Sequence, residues 1–436
     1  MFLRVKIFIL CLLAIGPKVY SQPINNPVEK INGLESQART LCPELQTTRA
    51  LFNQKKAESF TRFTDFVPQA QLGVRKDKDF FEERNAYLRS LGLSPKTSSW
   101  NIDYQWSLIN YSRFQNARKT FTEKNQSELA LLNKEKEFPI SFRTHLLNFL
   151  LSSYKKAAVE NSLKRAETGK KEAKLGFELG QKTKIDVLRS EANMVMLDSK
   201  KMGFIDEEQN AKSKFIEFSG LNLSDISFLA NLDENSILEL INSLSPTHVD
   251  ADAPNLEKSP LLADLNYQTK INSLAVKQLT SMQYPELKVV GSFSNSADNF
   301  NDSLYRPYRT HSVAIVLSIP LFGGGNFISS HFEEYFAAKQ NEYSMNLKKL
   351  ETINLLSNTQ IKIKALEKQV ASLAINVNQF EELYRLTQKS YQLGKSTLSE
   401  LLEVQDNLLD SKISLAQTKI NYYTLSQNYL WQAGLQ

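Results

Sequence analysis

The chain is 436 residues long, 42% hydrophobic and 23% charged, which suits a folded chain and argues against a polytopic helical membrane protein. After the first twenty residues, no uncharged apolar run approaches the roughly 20 residues that a membrane-spanning helix needs. The formal net charge is +6, and three of the basic residues lie in the first 21 positions. The remaining charge of about +3 gives no electrostatic support for nucleic-acid binding.

The N-terminus has the pattern of a cleaved secretory signal. Arg4 and Lys6 form a short basic region, residues 7–16 are apolar, and small or tolerated residues precede a cut after Ser21. We therefore predict a signal peptide at 1–21. Its removal would leave Cys42 as the only cysteine, so the sequence predicts neither an internal disulfide nor a thiol cluster for a metal ion.

A tandem repeat dominates the rest of the chain. Residues 179–183 (LGQKT) align with residues 393–397 (LGKST) at an offset of 214, and the same gapless register continues for some forty-five residues, to the pair Gly220 and Gly434. Such a register indicates duplication. It divides the mature chain into a first repeat (22–221), a polar connector (222–258) and a second repeat (259–436).

Each repeat is predicted to contain a β-hairpin, near 68–109 and near 285–321. Residues 101–108 alternate strictly between apolar and polar, which predicts a strand with two unlike faces. Long polar loops and one apolar face are typical of an outer-membrane barrel, although a half-buried hairpin of a soluble domain gives the same pattern. Four strands cannot close a barrel, so membrane-spanning strands would require an oligomer, and three protomers would supply twelve.

Long helices follow the strands. Residues 326–393 contain neither glycine nor proline, and 68 helical residues would span roughly 100 Å. Apolar residues recur every seven positions, which favours helices packed side by side in a bundle or a cylinder, with a plain antiparallel coiled coil as the alternative. At the two LGxxT turns, Gly180 and Gly394 suit a left-handed C-terminal position, and Thr183 and Thr397 can cap the next helix.

These motifs together resemble the TolC-type outer membrane efflux protein family. The matching segments are 284–287 (YPEL), 317–324 (LSIPLFGG), 391–397 (YQLGKST) and 400–402 (ELL), with the tip motif repeated at 179–188. The similarity extends over residues 28–435. Single motifs are only moderately specific, but their order and their duplication make the resemblance strong.

The resemblance implies a mainly α fold with β strands, in a homotrimer. Long helical hairpins would form a trimeric α-barrel through the periplasm, and each protomer would add four strands to a 12-stranded transmembrane β-barrel in the outer-membrane lipid. It also implies two partners, a periplasmic adaptor protein and an inner-membrane transporter. The adaptor would contact the two tips, and the residues involved would be Leu179, Gly180, Thr183, Leu393, Gly394 and Thr397.

The resemblance also implies a gate at the tips. By position, the acidic ring of the pore falls on Glu400 and Glu403, which share a helix face. Asp186 and Tyr391 are the further gate residues, and a hydrogen bond between them is possible. A basic residue that family members carry two positions after the second tip glycine is Ser396 here, which makes a salt-bridge latch to Asp186 doubtful. Pro139 is a second departure and should kink or locally break the first long helix.

The predicted function is therefore the outer-membrane exit duct of a tripartite efflux or type I secretion system, a passive conduit from the periplasm to the exterior of a Gram-negative-type bacterium. A secreted, soluble coiled-coil scaffold or adhesin is the alternative, which explains the heptads but not the duplicated strands. The sequence shows no nucleophile–base constellation, and its four histidines have no ligand spacing, so neither catalysis, a cofactor nor a metal site is expected. It does not identify the cargo.

Overall fold

The computed structural model describes residues 27–78, 82–92, 96–245, 259–297, 301, 309–321 and 325–435. The predicted signal peptide and the end of the connector lie outside the described residues. The elements, in chain order, are α1 (Pro27–Leu41), α2 (Pro43–Thr64), β1 (Gln69–Lys78), α3 (Glu82–Ser90), β2 (Lys96–Ile109), α4 (Tyr111–Glu178), α5 (Lys184–Ser219), α6 (Glu234–Leu244), α7 (Pro260–Thr280), β3 (Glu286–Ala297), β4 (Arg309–Ser318), α8 (Asn326–Gln392) and α9 (Leu398–Gln432).

Two very long helices, α4 with 68 residues and α8 with 67, set the dimensions of the fold. At a rise of about 1.5 Å per residue, each is about 100 Å long. Each ends in a tight turn and returns as a shorter helix, α5 or α9, that packs along it. In the described part of the chain, no helix combines the length and the apolar character needed to cross a bilayer.

Helix α4 runs through Pro139 without interruption, so the predicted local break is wrong. The proline removes one backbone N–H, but its neighbours hold the helix in place. Phe138 is 3% exposed and stacks on Phe218 with ring centroids 5.8 Å apart, and Phe142 is fully buried against Phe215 at 5.4 Å. Buried aromatic contacts with the return helix α5 therefore compensate for the missing hydrogen bond.

The strands form one antiparallel sheet in the order β1-β2-β3-β4, in which the pairing of β2 with β3 joins the two halves of the chain. Residues paired across the four strands form rows, and successive rows point to opposite faces of the sheet, as the alternation in the sequence predicts. One face carries the row Leu72, Ile102, Phe293 and His311, and the opposite face carries the polar row Gln71, Asp103, Ser292 and Ser312. The long polar loop predicted between β1 and β2 contains the short helix α3.

The apolar face of the sheet is not covered by the helices. Leu72 is 65% exposed, Val313 57% and Ile315 71%. Side chains of this kind normally lie in a core or against lipid. Strands β1 and β4 also have no neighbour on their outer edges within the described residues. The sheet thus presents both an apolar surface and two open edges.

The largest core lies at the middle of α4. Its residues 138–154 pack with α1, with the return helices α5 and α9, and with the connector. A short 3₁₀ helix, Ser227–Asn231, and α6 insert Leu229, Ile237 and Ile241 into this core. The connector therefore braces the long helices between the sheet at one end and the turns at the other.

Candidate functional site

The two turns that end α4 and α8 have the same backbone geometry. Gly180 and Gly394 adopt left-handed conformations with φ of 71° and 73°. The residue after each glycine donates a backbone hydrogen bond to a carbonyl five residues earlier, from Gln181 to Gly176 at 2.7 Å and from Lys395 to Ser390 at 2.8 Å. This is a Schellman ending, in which glycine avoids the steric cost that a Cβ would have at positive φ.

A capping box starts each return helix. The backbone N–H of Thr183 donates to Asp186 Oδ2 at 3.0 Å, and the Asp186 N–H donates to Thr183 Oγ1 at 3.2 Å. At the second tip, the N–H of Thr397 donates to Glu400 Oε2 at 3.1 Å, and the Glu400 N–H donates to Thr397 Oγ1 at 3.3 Å. The prediction that both threonines cap is confirmed. The box also gives Asp186 and Glu400 a local structural role.

We expect Thr183→Ala and Thr397→Ala each to destabilise the adjoining tip by about 1 kcal/mol, because the hydroxyl oxygen that accepts the Asp186 or Glu400 N–H is lost. Hydrogen exchange should show faster exchange in the first turn of α5 or α9 and unchanged exchange at the middle of α4. Thr168→Ala is the matched control, because the Thr168 hydroxyl donates to Lys164 O within the helix and caps nothing. Equal protection in the cap variants and the control would contradict the prediction.

The charge state of Asp186 couples the first tip to pH. Partial burial alone would raise its pKa, but hydrogen bonds from Thr183 and the nearby charges of Lys182 and Arg189 together lower it below the ordinary 3.8. A lowered pKa in the folded state means that this stabilisation is present above pH 3.8 and is lost as the pH falls through the lower, folded-state value.

We therefore expect hydrogen-exchange protection of the first turn of α5, corrected for intrinsic rates, to fall as the pH drops below about 4. Asp186→Asn keeps an acceptor oxygen for the cap but cannot titrate, so its corrected protection should not change over the same range. A wild-type tip that frays no more than the Asn variant at low pH would show that the carboxylate charge does not stabilise the turn.

The two predicted pore acids lie together on the first turns of α9. Glu400 and Glu403 are both exposed, and Glu400 lies in the first turn of α9, at the positive end of the helix macrodipole. Two further acids continue along the helix. Asp406 is half-buried, and burial raises its pKa, while Lys200 opposes that shift and Asp410 adds to it. Lys200 Nζ lies 3.5 Å from Asp410 Oδ1, so an ion pair joins α5 to α9.

Tyr391 contacts a different partner from the one expected. Among the described residues, no hydrogen bond joins it to Asp186, whose side chain bonds to Thr183 instead. Lys182 Nζ lies 3.9 Å from the centre of the Tyr391 ring, within range of a cation–π interaction. Ser396, at the position of the missing basic residue, donates its hydroxyl to Thr387 O at 3.3 Å. The first tip thus contacts the second through Lys182, a residue that the sequence did not single out.

The outermost side chains of both tips are apolar and exposed. Leu179 is 71% exposed and Leu393 is 72% exposed, at equivalent positions of the two turns. An exposed leucine at the extreme end of a helical hairpin contributes nothing to the core of this chain. Both are available to a partner, as the predicted adaptor contact requires.

No group of three or more His, Cys, Asp or Glu side chains within the described ranges is placed to bind a metal ion.

Comparisons with known proteins agree with this architecture. The family model described as "Outer membrane efflux protein" matches residues 255–429. The alkaline protease secretion protein AprF of Pseudomonas aeruginosa is 23% identical over 411 residues, covering 92% of this chain and 79% of that protein.

Two solved structures have the same fold. The outer membrane channel CmeC of Campylobacter jejuni is 12% identical with a TM-score of 0.78, covering 93% of this chain and 86% of that one. The outer membrane protein VceC of Vibrio cholerae is 13% identical with a TM-score of 0.72, covering 93% and 96%. The resemblance to the TolC-type family is thereby confirmed.

Proposed function

We propose that this chain, a TolC-type outer membrane efflux protein by its motifs and its fold, is one protomer of a trimeric exit duct that opens at the two helical tips. Its place is the outer membrane, with the long helices extending into the periplasm. The observation that carries the trimer is the sheet, whose apolar face is exposed and whose two edges are open.

The open edges define how copies would join. In the order β1-β2-β3-β4 each neighbour is antiparallel, so β4 of one copy would be antiparallel to β1 of the next. Three copies would close a sheet of 12 strands with no edge left, as lipid requires. The apolar row would then face lipid and the polar row would face the lumen, the alternation of outer-membrane barrels.

We also infer that the chain arose by duplication, with repeats at 22–221 and 259–436 and a connector at 222–258. The support is local: both tips have a positive-φ glycine, a Schellman hydrogen bond and a Thr-x-x-acid capping box at the offset of 214 residues. Each repeat also contributes one β-hairpin and one long helix.

The tips are proposed to act as the gate and the docking site. Exposed Leu179 and Leu393 would meet a periplasmic adaptor, itself linked to an inner-membrane transporter that supplies the energy. Among relatives, AprF is a secretion protein and CmeC a channel, so the cargo class stays open. The duct would be passive, without catalysis or a cofactor.

Contacts between the two hairpins should set the resting conductance. We expect Tyr391→Leu to increase single-channel conductance or open probability in planar bilayers, because the Lys182 contact between the hairpins is lost. Tyr343→Leu is the control, since Lys339 lies 6.0 Å from that ring on the same helix and joins no hairpins. Equal conductance in both variants would remove Tyr391 from the gate.

Conductance of the wild-type protein tests the proposal itself. An exit duct should require detergent for extraction from outer membranes and should form ion-conducting pores after reconstitution. A soluble coiled-coil scaffold or adhesin, the second candidate, would be recovered without detergent and would conduct nothing. That result would overturn the channel proposal.

A further inference from the structure

A cavity of about 320 Å³ lies between the two helical hairpins, close to the tips. Helices α4 and α5 line one side and α8 and α9 line the other, so a bound molecule would touch both halves of the chain. Its volume is at the lower end of the range for sites that bind small organic molecules. Tyr391, which contacts Lys182 at the tips, is also one of the lining residues of the cavity.

The buried part of the cavity contains an amide that lacks a partner. Gln405 is 8% exposed, lines the cavity, and has no hydrogen-bond partner for its Nε2 among the described residues. Nearby, Ala166 also lines the cavity and packs in one buried cluster with Leu409, one turn beyond Gln405 on α9. A buried N–H donor without an acceptor is destabilising, so this position favours a ligand that brings an acceptor atom.

The charges at the cavity favour an anionic acceptor. Lys164 and Arg165 line it, and among the described residues neither has a carboxylate within 4.0 Å. Arg165 Nη2 donates to Ser162 Oγ at 3.0 Å and retains further donors. Glu172 is the single acid among the lining residues. Two exposed basic side chains and one buried amide donor therefore line a cavity that holds one carboxylate.

The remaining walls suit an apolar body. Tyr384 and Tyr391 contribute rings from α8, and Leu398, Leu401 and Leu402 contribute aliphatic side chains from α9. A few polar groups that fix one end of a ligand, with aromatic and aliphatic walls for the rest, is the usual composition of a small-molecule site.

We propose that this cavity binds a small organic anion, with its carboxylate or sulfonate at Gln405, Lys164 and Arg165 and its apolar body against the tyrosines and leucines. Such a ligand contacts both hairpins at once and holds them together. A further consequence rests on the proposed function, in which separation of the two hairpins opens the duct. A bound ligand then favours the closed tip, by the difference between its binding free energies for the closed and open states.

The test titrates 4-(trifluoromethyl)benzoate, the probe, into the full-length protein in amphipol. Binding of the probe is measured by ¹⁹F NMR. Gly169 lines the cavity, and a Cβ added there meets no atom within 4 Å. The leucine of Gly169→Leu therefore has room for its Cβ, and the rest of its side chain fills the cavity. Gly203→Leu is the matched control, an exposed helical glycine with equally open space that lies outside the cavity. We expect Gly169→Leu to weaken binding at least about tenfold and Gly203→Leu to leave it unchanged.

A second variant tests the anion contact without filling the space. Gln405→Leu removes the donor, so we expect about tenfold weaker binding of the benzoate and unchanged binding of neutral 4-(trifluoromethyl)benzyl alcohol. Absence of benzoate binding to the wild type, or equal binding to the wild type and Gly169→Leu, would overturn the proposal, as would full affinity in Gln405→Leu. Because binding is measured without conductance, failure here is distinguishable from failure of the channel proposal.

Discussion

Replacement of Val313 by Arg is expected to abolish insertion into the outer membrane. Val313 lies in the middle of β4, is 57% exposed and stands on the apolar face of the sheet, in a row with Ala70, Tyr104 and Gly291. If that row faces lipid, an Arg near the bilayer midplane costs about 2–4 kcal/mol. Three protomers would repeat the cost, so the variant should be lost from the detergent-extracted trimer.

Ser312→Arg is the matched control. Ser312 is the preceding residue, so it lies on the opposite face, in the polar row with Gln71, Asp103 and Ser292. An Arg there would face the water-filled lumen, in the same row as the Asp103 carboxylate, and should be tolerated. Membrane fractionation followed by native electrophoresis measures both. Equal recovery of the two variants would show that the faces of the sheet are not lipid and lumen.

Neutralising the two acids of the second tip is expected to remove most of the cation selectivity. Three copies of Glu400 and Glu403 would place six carboxylates around one axis, where their summed potential attracts cations. We expect Glu400→Gln with Glu403→Gln to lower the cation-over-anion permeability ratio by about tenfold, equivalent to roughly 1.4 kcal/mol, and to weaken block by multivalent cations. Reversal potentials in a salt gradient across a planar bilayer give this ratio.

Glutamine is the informative substitution because Glu400 has two roles. Its carboxylate accepts the Thr397 N–H in the capping box, and a Gln side chain retains that acceptor while losing the charge. The control is Glu342→Gln with Glu351→Gln, two exposed acids of α8 that each pair with a lysine on the same helix. Unchanged selectivity in the tip variant would exclude Glu400 and Glu403 from the pore constriction.

Local and periodic features of the fold could be predicted from the sequence. Alternation over residues 101–108 corresponds to β2, and the run without glycine or proline corresponds to α8. Helix α4 shows where local rules fail, because Pro139 lies within it and contacts between Phe138 and Phe218 hold it continuous. Helix α3, inside the first polar loop, has a weak pattern of its own and was not foreseen.

The candidate site likewise has features that the local sequence predicts and features that depend on contacts between distant residues. The Thr-x-x-Glu spacing of Thr397 and Glu400 is a local signature, and the capping box could have been identified from it before any pore role was assigned. The contact of Lys182 with Tyr391 joins residues far apart in the chain, and no local pattern encodes it. The unpartnered amide of Gln405 is likewise visible only after four helices pack around it.

The most direct test is electron cryo-microscopy of the full-length protein, purified from membranes in detergent. We expect a hollow particle with threefold symmetry, longer than about 100 Å because of α4 and α8, with a detergent belt around the sheet at one end. A monomer or a solid rod from the soluble fraction, without a detergent belt, would contradict the channel and favour the coiled-coil scaffold.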